Sequence, residues 1–479
     1  MIDFKKALYI ILGALSMFSA VGCKNGWEEH TALLENTSKA TLLEQIASEP
    51  ELSKFYAYIK QAELEEVLAS SKTNTVWAPN NQAIDALLAE SPNYLSSTEA
   101  VKSFVKYHIA GLFHPVKTSQ DTLRIQTMDS LFVSVSGPHY EEASVVKGGI
   151  IAKNGLLHIV DKALMVKSSV FDAAKSFPNL TSQKLAMESL DTAGVDPAGN
   201  PIVKRSPKWA SLVRRMASKD SLYTYFVLSN DAFDAEYNRI TPYYKSTKTN
   251  RPDSTQIYLT RIGMLQDLLV KGLYTQDKLP DTLISVTGTK IPVKKSAIVS
   301  SYKANNGIVY VVNELPYRLK DKIREFKIEG EQLNRTNSRN DRNGNIFIRS
   351  KLDDKGVPFR DIQVWDHKVA DFFVQYPRAD VNTVVYNVYA RAISGTVADN
   401  QTVDFTQRFG VPTATVFGNT TVLFTQTVRP QVYTEVLLGQ FEMRQFGTLI
   451  WRAIGANNAS TNSNTISFDY LRFVPVLPN

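Results

Sequence analysis

One stretch of this chain is written twice. Residues 75–88, TVWAPNNQAIDALL, read as a short buried strand, a Pro-Asn turn and a helix with Ala83, Ile84, Leu87 and Leu88 on one face. Residues 224–233, TYFVLSNDAF, repeat the same order. Asn81 or its neighbour is placed to cap the first helix, and Ser229 or Asn230 the second, because a short side-chain oxygen accepts an orphan backbone N–H there. The pair reads as a duplicated α/β folding unit and not as a catalytic site.

The copies keep order and approximate spacing beyond the first motif. Asn81 against Asn230 is a shift of 230 − 81 = 149, and Asn154-Gly155 against Asn306-Gly307 a shift of 306 − 154 = 152. Each Asn-Gly sits in a closing hairpin, where the glycine supplies positive φ. With 479 residues and 43% hydrophobic composition, the chain has room for about three domains of ~150 residues. The expected division is a signal peptide over 1–22, a tether over 23–40, one α/β domain over 41–166 and a divergent second over 167–319. A linker and first strand then occupy 320–345 and an all-β sandwich 346–479. Residues 191–208 and 240–256, rich in Pro, Gly, Asn and Lys, are expected as surface loops of the second domain.

Residues 75–88, then 105–109 (VKYHI), then 154–164 (NGLLHIVDKAL), resemble in order the boxes of the fasciclin domain, an α/β module of cell-surface and secreted proteins. The resemblance implies adhesion or ligand holding. The second copy departs from it: Leu228 stands where the first has Pro79, and residues 269–273 (LVKGL) replace the histidine box. His108 and His158 fall inside the family's boxes, which implies structural roles.

At the N-terminus Lys5 and Lys6 precede an apolar run over 7–21 and then Gly22-Cys23. The run is too short to span a membrane comfortably and reads as a secretory signal. Cys23, the single cysteine, resembles the lipidation site of a bacterial lipoprotein, although Ala20 stands where such signals usually carry Leu. Several acyl chains on Cys23 would anchor the protein without a transmembrane helix. The expected location is the outer membrane, facing the cell exterior; a plain secreted protein is the competing reading. One cysteine allows no intramolecular disulfide, so packing must stabilise the fold. The formal charge is +7, and removing residues 1–22 with Asp3, Lys5 and Lys6 leaves 7 − 1 = +6. Scattered over ~450 residues without a basic, aromatic-studded helix, that charge does not point to nucleic acid.

From about residue 346 the pattern becomes all-β, with strand-length runs at 371–377, 383–392, 401–409, 420–428, 435–444, 448–454 and 465–475. This part resembles jelly-roll carbohydrate-binding modules, through IEGE at 328–331 and the closing run ISFDYLRFVP at 466–475. The resemblance implies a structural cation, a calcium ion, on Glu329, Glu331 and Asp469; ordinary surface carboxylates are the competing reading. Glycan capture needs a flat aromatic on an exposed rim, and Trp365, Tyr386, Tyr389 and Trp451 are the candidates. Trp365, just ahead of an expected strand, ranks first; Trp451, mid-strand between Ile450 and Arg452, also reads as core.

No nucleophile elbow, zinc-protease helix, dinucleotide fingerprint or phosphate loop occurs, and the six histidines show no paired ligand spacing. The expectation is therefore a non-catalytic lipoprotein without a cofactor, anchored in the outer membrane. It would bind an extracellular glycan, as an accessory to an outer-membrane glycan transporter complex, or alternatively a surface protein as an adhesion or scaffold component.

Overall fold

The computed structural model describes residues 39–116, 121–246, 252–336, 345–365, 367–395, 403–413, 419–455 and 464–478. The signal segment 1–22, Cys23 and nearly all of the 23–40 tether lie outside the described residues. The chain divides into two compact units, one through Ser169 and one from Val170 onward, with residues 218–220 and 303–306 grouped with the first.

The first unit is built on the parallel pairing of Asn74–Pro79 with Gly155–Val160, in register from Asn74 opposite Gly155 to Pro79 opposite Val160. Both strands are buried along their whole length, as a parallel pair covered on both faces must be. On one face the helices Leu42–Ser48, Ser53–Gln61, Asn81–Glu90 and Thr98–Tyr107 bring Ile46, Phe55, Ile84 and Phe104 against Val76, Ala78, Leu157 and Ile159. On the other, Trp77, Tyr140, Val133 and Val160 make a second cluster, with the Trp77 and Tyr140 rings stacked 4.5 Å apart. The sheet has seven strands, running Ile109–Gly111, Asn74–Pro79, Gly155–Val160, Ala143–Ala152, His139–Tyr140, Phe132–Ser136 and Leu123–Gln126 across its width. Asn80 caps the helix after the first strand: its side-chain oxygen accepts from the Ala83 amide at 2.8 Å.

The second α/β domain repeats this frame. Tyr223–Leu228 runs parallel to Gly307–Val312, Tyr223 opposite Gly307, and Leu269–Lys271 flanks it antiparallel as Ile109–Gly111 flanks Asn74–Pro79. Ser229 caps the following helix, Asn230–Ile240. The two stretches expected as loops are more ordered than their composition suggests. Residues 191–208 form the hairpin Asp191–Val195 with Pro201–Arg205 and open the helix Pro207–Met216. Asp191 holds it by accepting from Arg205 Nε at 2.7 Å and from Trp209 Nε1 at 2.6 Å. Residues 240–256 likewise hold a 3-10 turn, Thr241–Tyr244, and the start of the helix Pro252–Asp267.

The C-terminal part is antiparallel throughout its described pairings, in three sheets. One is ordered Phe326–Glu329, Tyr470–Pro475, Val385–Arg391, Val436–Glu442. A second is ordered Arg335–Thr336, Phe373–Val381, Gly447–Gly455, Phe405–Pro412, Thr420–Val428. The third joins Ile346–Leu352, Pro358–Trp365 and Asn464–Phe468. The closing run expected as one strand is therefore two, broken at Asp469, so that the chain leaves one sheet and enters another. The hairpin Ile346–Leu352 with Pro358–Trp365 was not anticipated. Its turn is set by Asp353, whose Oδ1 accepts from the Lys355 and Val357 amides, and by Gly356 at φ +75°.

Candidate functional site

The sandwich core decides which of the four aromatic candidates face solvent. Trp451 is fully buried, with the Phe441 and Phe473 rings edge-on at 5.3 and 5.1 Å. Tyr386 is buried against Phe326 and Phe473, and its hydroxyl donates to the Asn382 carbonyl at 3.2 Å. Neither is an exposed platform, which corrects the candidate sugar-binding role of both and agrees with the core reading of Trp451. Both sit mid-strand on the side facing the opposite sheet, where large rings are needed to fill the gap between layers. Tyr389 is half-buried with the Arg472 guanidinium 4.7 Å over its ring, and Arg472 is in turn held by Glu435 and Glu325. That cation covers the face a sugar would need.

Trp365 remains, 37% exposed at the end of Pro358–Trp365 and not ahead of a strand. It has a companion that sequence reading missed. Phe347, 40% exposed, lies 6.0 Å from it edge-on, on the neighbouring strand. Phe347 stands opposite Gln363, and Gln363 is two residues from Trp365, so the three share a face. The next pair on that face, Arg349 opposite Asp361, is a salt bridge in which Arg349 also donates to Ser467 Oγ at 3.1 Å. The result is an aromatic pair on a rim with an amide beside it and a charged cluster behind it. The signal that would have found Phe347 was the turn DDKG at 353–356 between two alternating runs.

The three carboxylates expected to hold a cation are treated unequally. Asp469 pairs with the Arg391 guanidinium, which also contacts Asp353 Oδ2 at 3.2 Å. Burial first, and then the nearby Asp469 and Glu331 charges, push Glu329 above the usual carboxylate range. Burial likewise raises Asp469 against the pull of Arg391. Glu331 Oε2 is buried with no hydrogen-bond partner. Asp469 thus already has a counter-ion in Arg391, and Glu329 has the Lys327 charge nearby. Among the described residues no group of three His, Cys, Asp or Glu side chains gathers to hold a metal ion.

His108 and His158 of the first domain are packing elements. His108 is fully buried: its Nε2 accepts from the Leu164 amide at 3.2 Å and its Nδ1 meets the Phe104 carbonyl at 2.8 Å. Burial pushes it down to about 4, so it is neutral at physiological pH. His158 accepts from the Gly149 amide through Nδ1, and burial lowers it as well.

Residues 50–166 match the fasciclin domain family. The first domain is fasciclin-like. Over 191 residues the chain is 25% identical to the transforming growth factor-beta-induced protein ig-h3 of Sus scrofa, covering 37% of this chain but only 26% of that protein. It is 27% identical over 134 residues to protein sll1483 of Synechocystis sp., covering 27% of this chain and 74% of that one. Among solved structures it is similar to a pair of such domains from the insect cell adhesion molecule Fasciclin I, at 16% identity and a TM-score of 0.23, over 57% of this chain and 99% of that chain. A family 6 carbohydrate-binding module matches 32% of this chain and 94% of its own, at 15% identity and a TM-score of 0.21. The fasciclin domain, its second copy and the β-sandwich make the chain a multidomain assembly of two α/β modules and one all-β module.

Proposed function

We propose that this chain is a non-catalytic cell-surface protein that captures a glycan on the Trp365–Phe347 face of its β-sandwich. The observation that supports the reading is the exposed aromatic pair flanked by Gln363, which offers a ring to the C–H face of a sugar and an amide to its hydroxyls. Acylated Cys23 anchors the chain in the outer membrane, facing outward, as an accessory to a glycan transporter complex. Wild-type chain on a glycan array should retain a polysaccharide that Trp365→Ala and Phe347→Ala each weaken about tenfold or more, with melting unchanged. A well-folded chain that retains no glycan sinks this reading.

A protein partner is the second reading, and one feature of the first domain favours it. Leu112 is 72% exposed at φ +69°, and Phe113 beside it is also exposed. Two adjacent large apolar side chains in solvent suit a protein surface better than a sugar. Capture of a single surface protein by the wild-type chain and its loss in a Leu112→Asp/Phe113→Asp variant would favour adhesion over glycan capture.

A further inference from the structure

Within the second unit, a cavity of about 670 Å³ lies between the second α/β domain and the sandwich, a volume in the range of small-molecule sites. Its wall carries five cations and three carboxylates, an excess of 5 − 3 = 2 positive charges. The carboxylates are all committed: Asp267 to Lys322, Asp380 to Lys208 at 2.6 Å, and Glu325 to Arg472 at 3.0 Å outside the cavity. That leaves Arg324, Lys327 and Arg378 on the wall, none of them in an ion pair among the described residues, with Lys327 within electrostatic reach of Glu329 and Glu435.

These three are positioned by neutral groups. Arg324 donates to the Thr287 carbonyl at 2.7 Å and the Gly288 carbonyl at 3.3 Å. Lys327 lies 3.5 Å over the Tyr470 ring, and Arg378 5.4 Å over Phe326, itself stacked on Phe473. Carbonyl dipoles and ring faces orient a cation without cancelling its charge, so the field of Arg324 and Arg378 reaches the cavity, joined by Lys327, which Glu329 and Glu435 offset in part. Behind them the buried Lys322–Asp267 pair, with Thr289 Oγ1 donating to Asp267 at 3.0 Å, makes the floor rigid and polar. Gln266 and Asn382 add amides to the wall; Asn382 uses its NH₂ on the Tyr243 carbonyl at 3.3 Å and keeps its oxygen for another donor.

We propose that this cavity binds an acidic oligosaccharide. Uncommitted cations take its carboxylate or sulfate groups, and amides take its hydroxyls; a bare inorganic anion would use only the first set. The site is separate from the Trp365 face and stands or falls without it.

Calorimetric titration of the chain with a galacturonate tetramer, a chondroitin-sulfate tetramer and cellotetraose tests the proposal and tells carboxylate from sulfate. At least one acidic tetramer should bind, with affinity falling as salt rises, and Arg324→Ala/Arg378→Ala should weaken it about tenfold or more. Because Arg324 also ties down the 287–288 turn, the exposed pair Lys327→Gln/Arg378→Gln provides a variant expected to melt like wild type and bind as weakly. Trp365→Ala should leave acidic binding intact. Failure of both acidic tetramers to bind, or binding unchanged in Lys327→Gln/Arg378→Gln, overturns the proposal. A cellotetraose signal that depends on Trp365, with no acidic binding, overturns it too while leaving the sandwich-face reading standing.

Discussion

Asn154 shows how much one side chain organises in this fold. It is buried, its Oδ1 accepts from the Leu42 amide at 2.8 Å, and its Nδ2 donates to the Leu68 carbonyl at 2.8 Å and the Ser70 carbonyl at 2.6 Å. One amide thereby ties the first helix and the loop before the first strand to the closing hairpin. Asn154→Ala would orphan those buried groups, and chemical denaturation should show a loss of about 3 kcal/mol. His108 sets the acid limit of the same domain. Its folded value of about 4 lies below the unfolded one near 6.5, so the neutral ring stabilises the fold fully above pH 6.5. That contribution is lost as pH falls through the window from 6.5 to 4. At 1.36 kcal/mol per unit the loss is roughly 3 kcal/mol, visible as a falling urea midpoint across that window. A His108→Gln variant should be less stable at neutral pH and show a flatter dependence.

At the level of the strand pair, both copies close on the same steric constraint. A Cβ at Gly155 would stand 1.9 Å from the Asn74 carbonyl oxygen, and one at Gly307 1.9 Å from that of Tyr223, with φ at +154° and +157°. Only glycine lets the closing strand dock parallel to the first strand of its domain. Gly155→Ala and Gly307→Ala should each cost about 3 kcal/mol, each in its own domain, as read by denaturation followed at a probe in that domain. An effect in one copy only would mean the two closures are not equivalent. The Asp191–Arg205 hairpin makes the opposite point about composition. Polar, glycine-bearing sequence suggested a loop, but one ion pair and the Trp209 indole give it a partner and hence a strand.

For the molecule as a whole, the division into two compact units implies more than one cooperative block. Calorimetry should resolve at least two transitions, the acid-sensitive one belonging to the first, fasciclin-like domain with His108. In the second unit, Lys322 and Asp267 are almost wholly buried as an ion pair. Burial alone lowers the Lys322 ammonium, but Asp267 beside it outweighs that and holds it above the usual lysine range. Lys322→Met leaves Asp267 uncompensated, so the second unit's transition should drop by about 3–5 kcal/mol while the first stays in place.

The sequence alone carried whatever depends on near neighbours. The duplicated strand-turn-helix, the caps at Asn80 and Ser229 and the Asn-Gly closures are local patterns, because a cap or a turn is satisfied within a few residues. It also carried the change to all-β character, although the sandwich sheets already take up Phe326–Glu329 and Arg335–Thr336, ahead of the expected boundary at 346. Tertiary structure decided which rings are core and which are surface. Trp451, Tyr386 and Trp365 all lie in strands of alternating pattern, and only register against distant strands buries the first two and leaves the third beside Phe347. It decided equally that Asp469 meets Arg391 and that Arg378 shares one cavity with Arg324 and Lys327. Those are meetings of side chains far apart in the chain, and a one-dimensional pattern holds no record of the fold that brings them together.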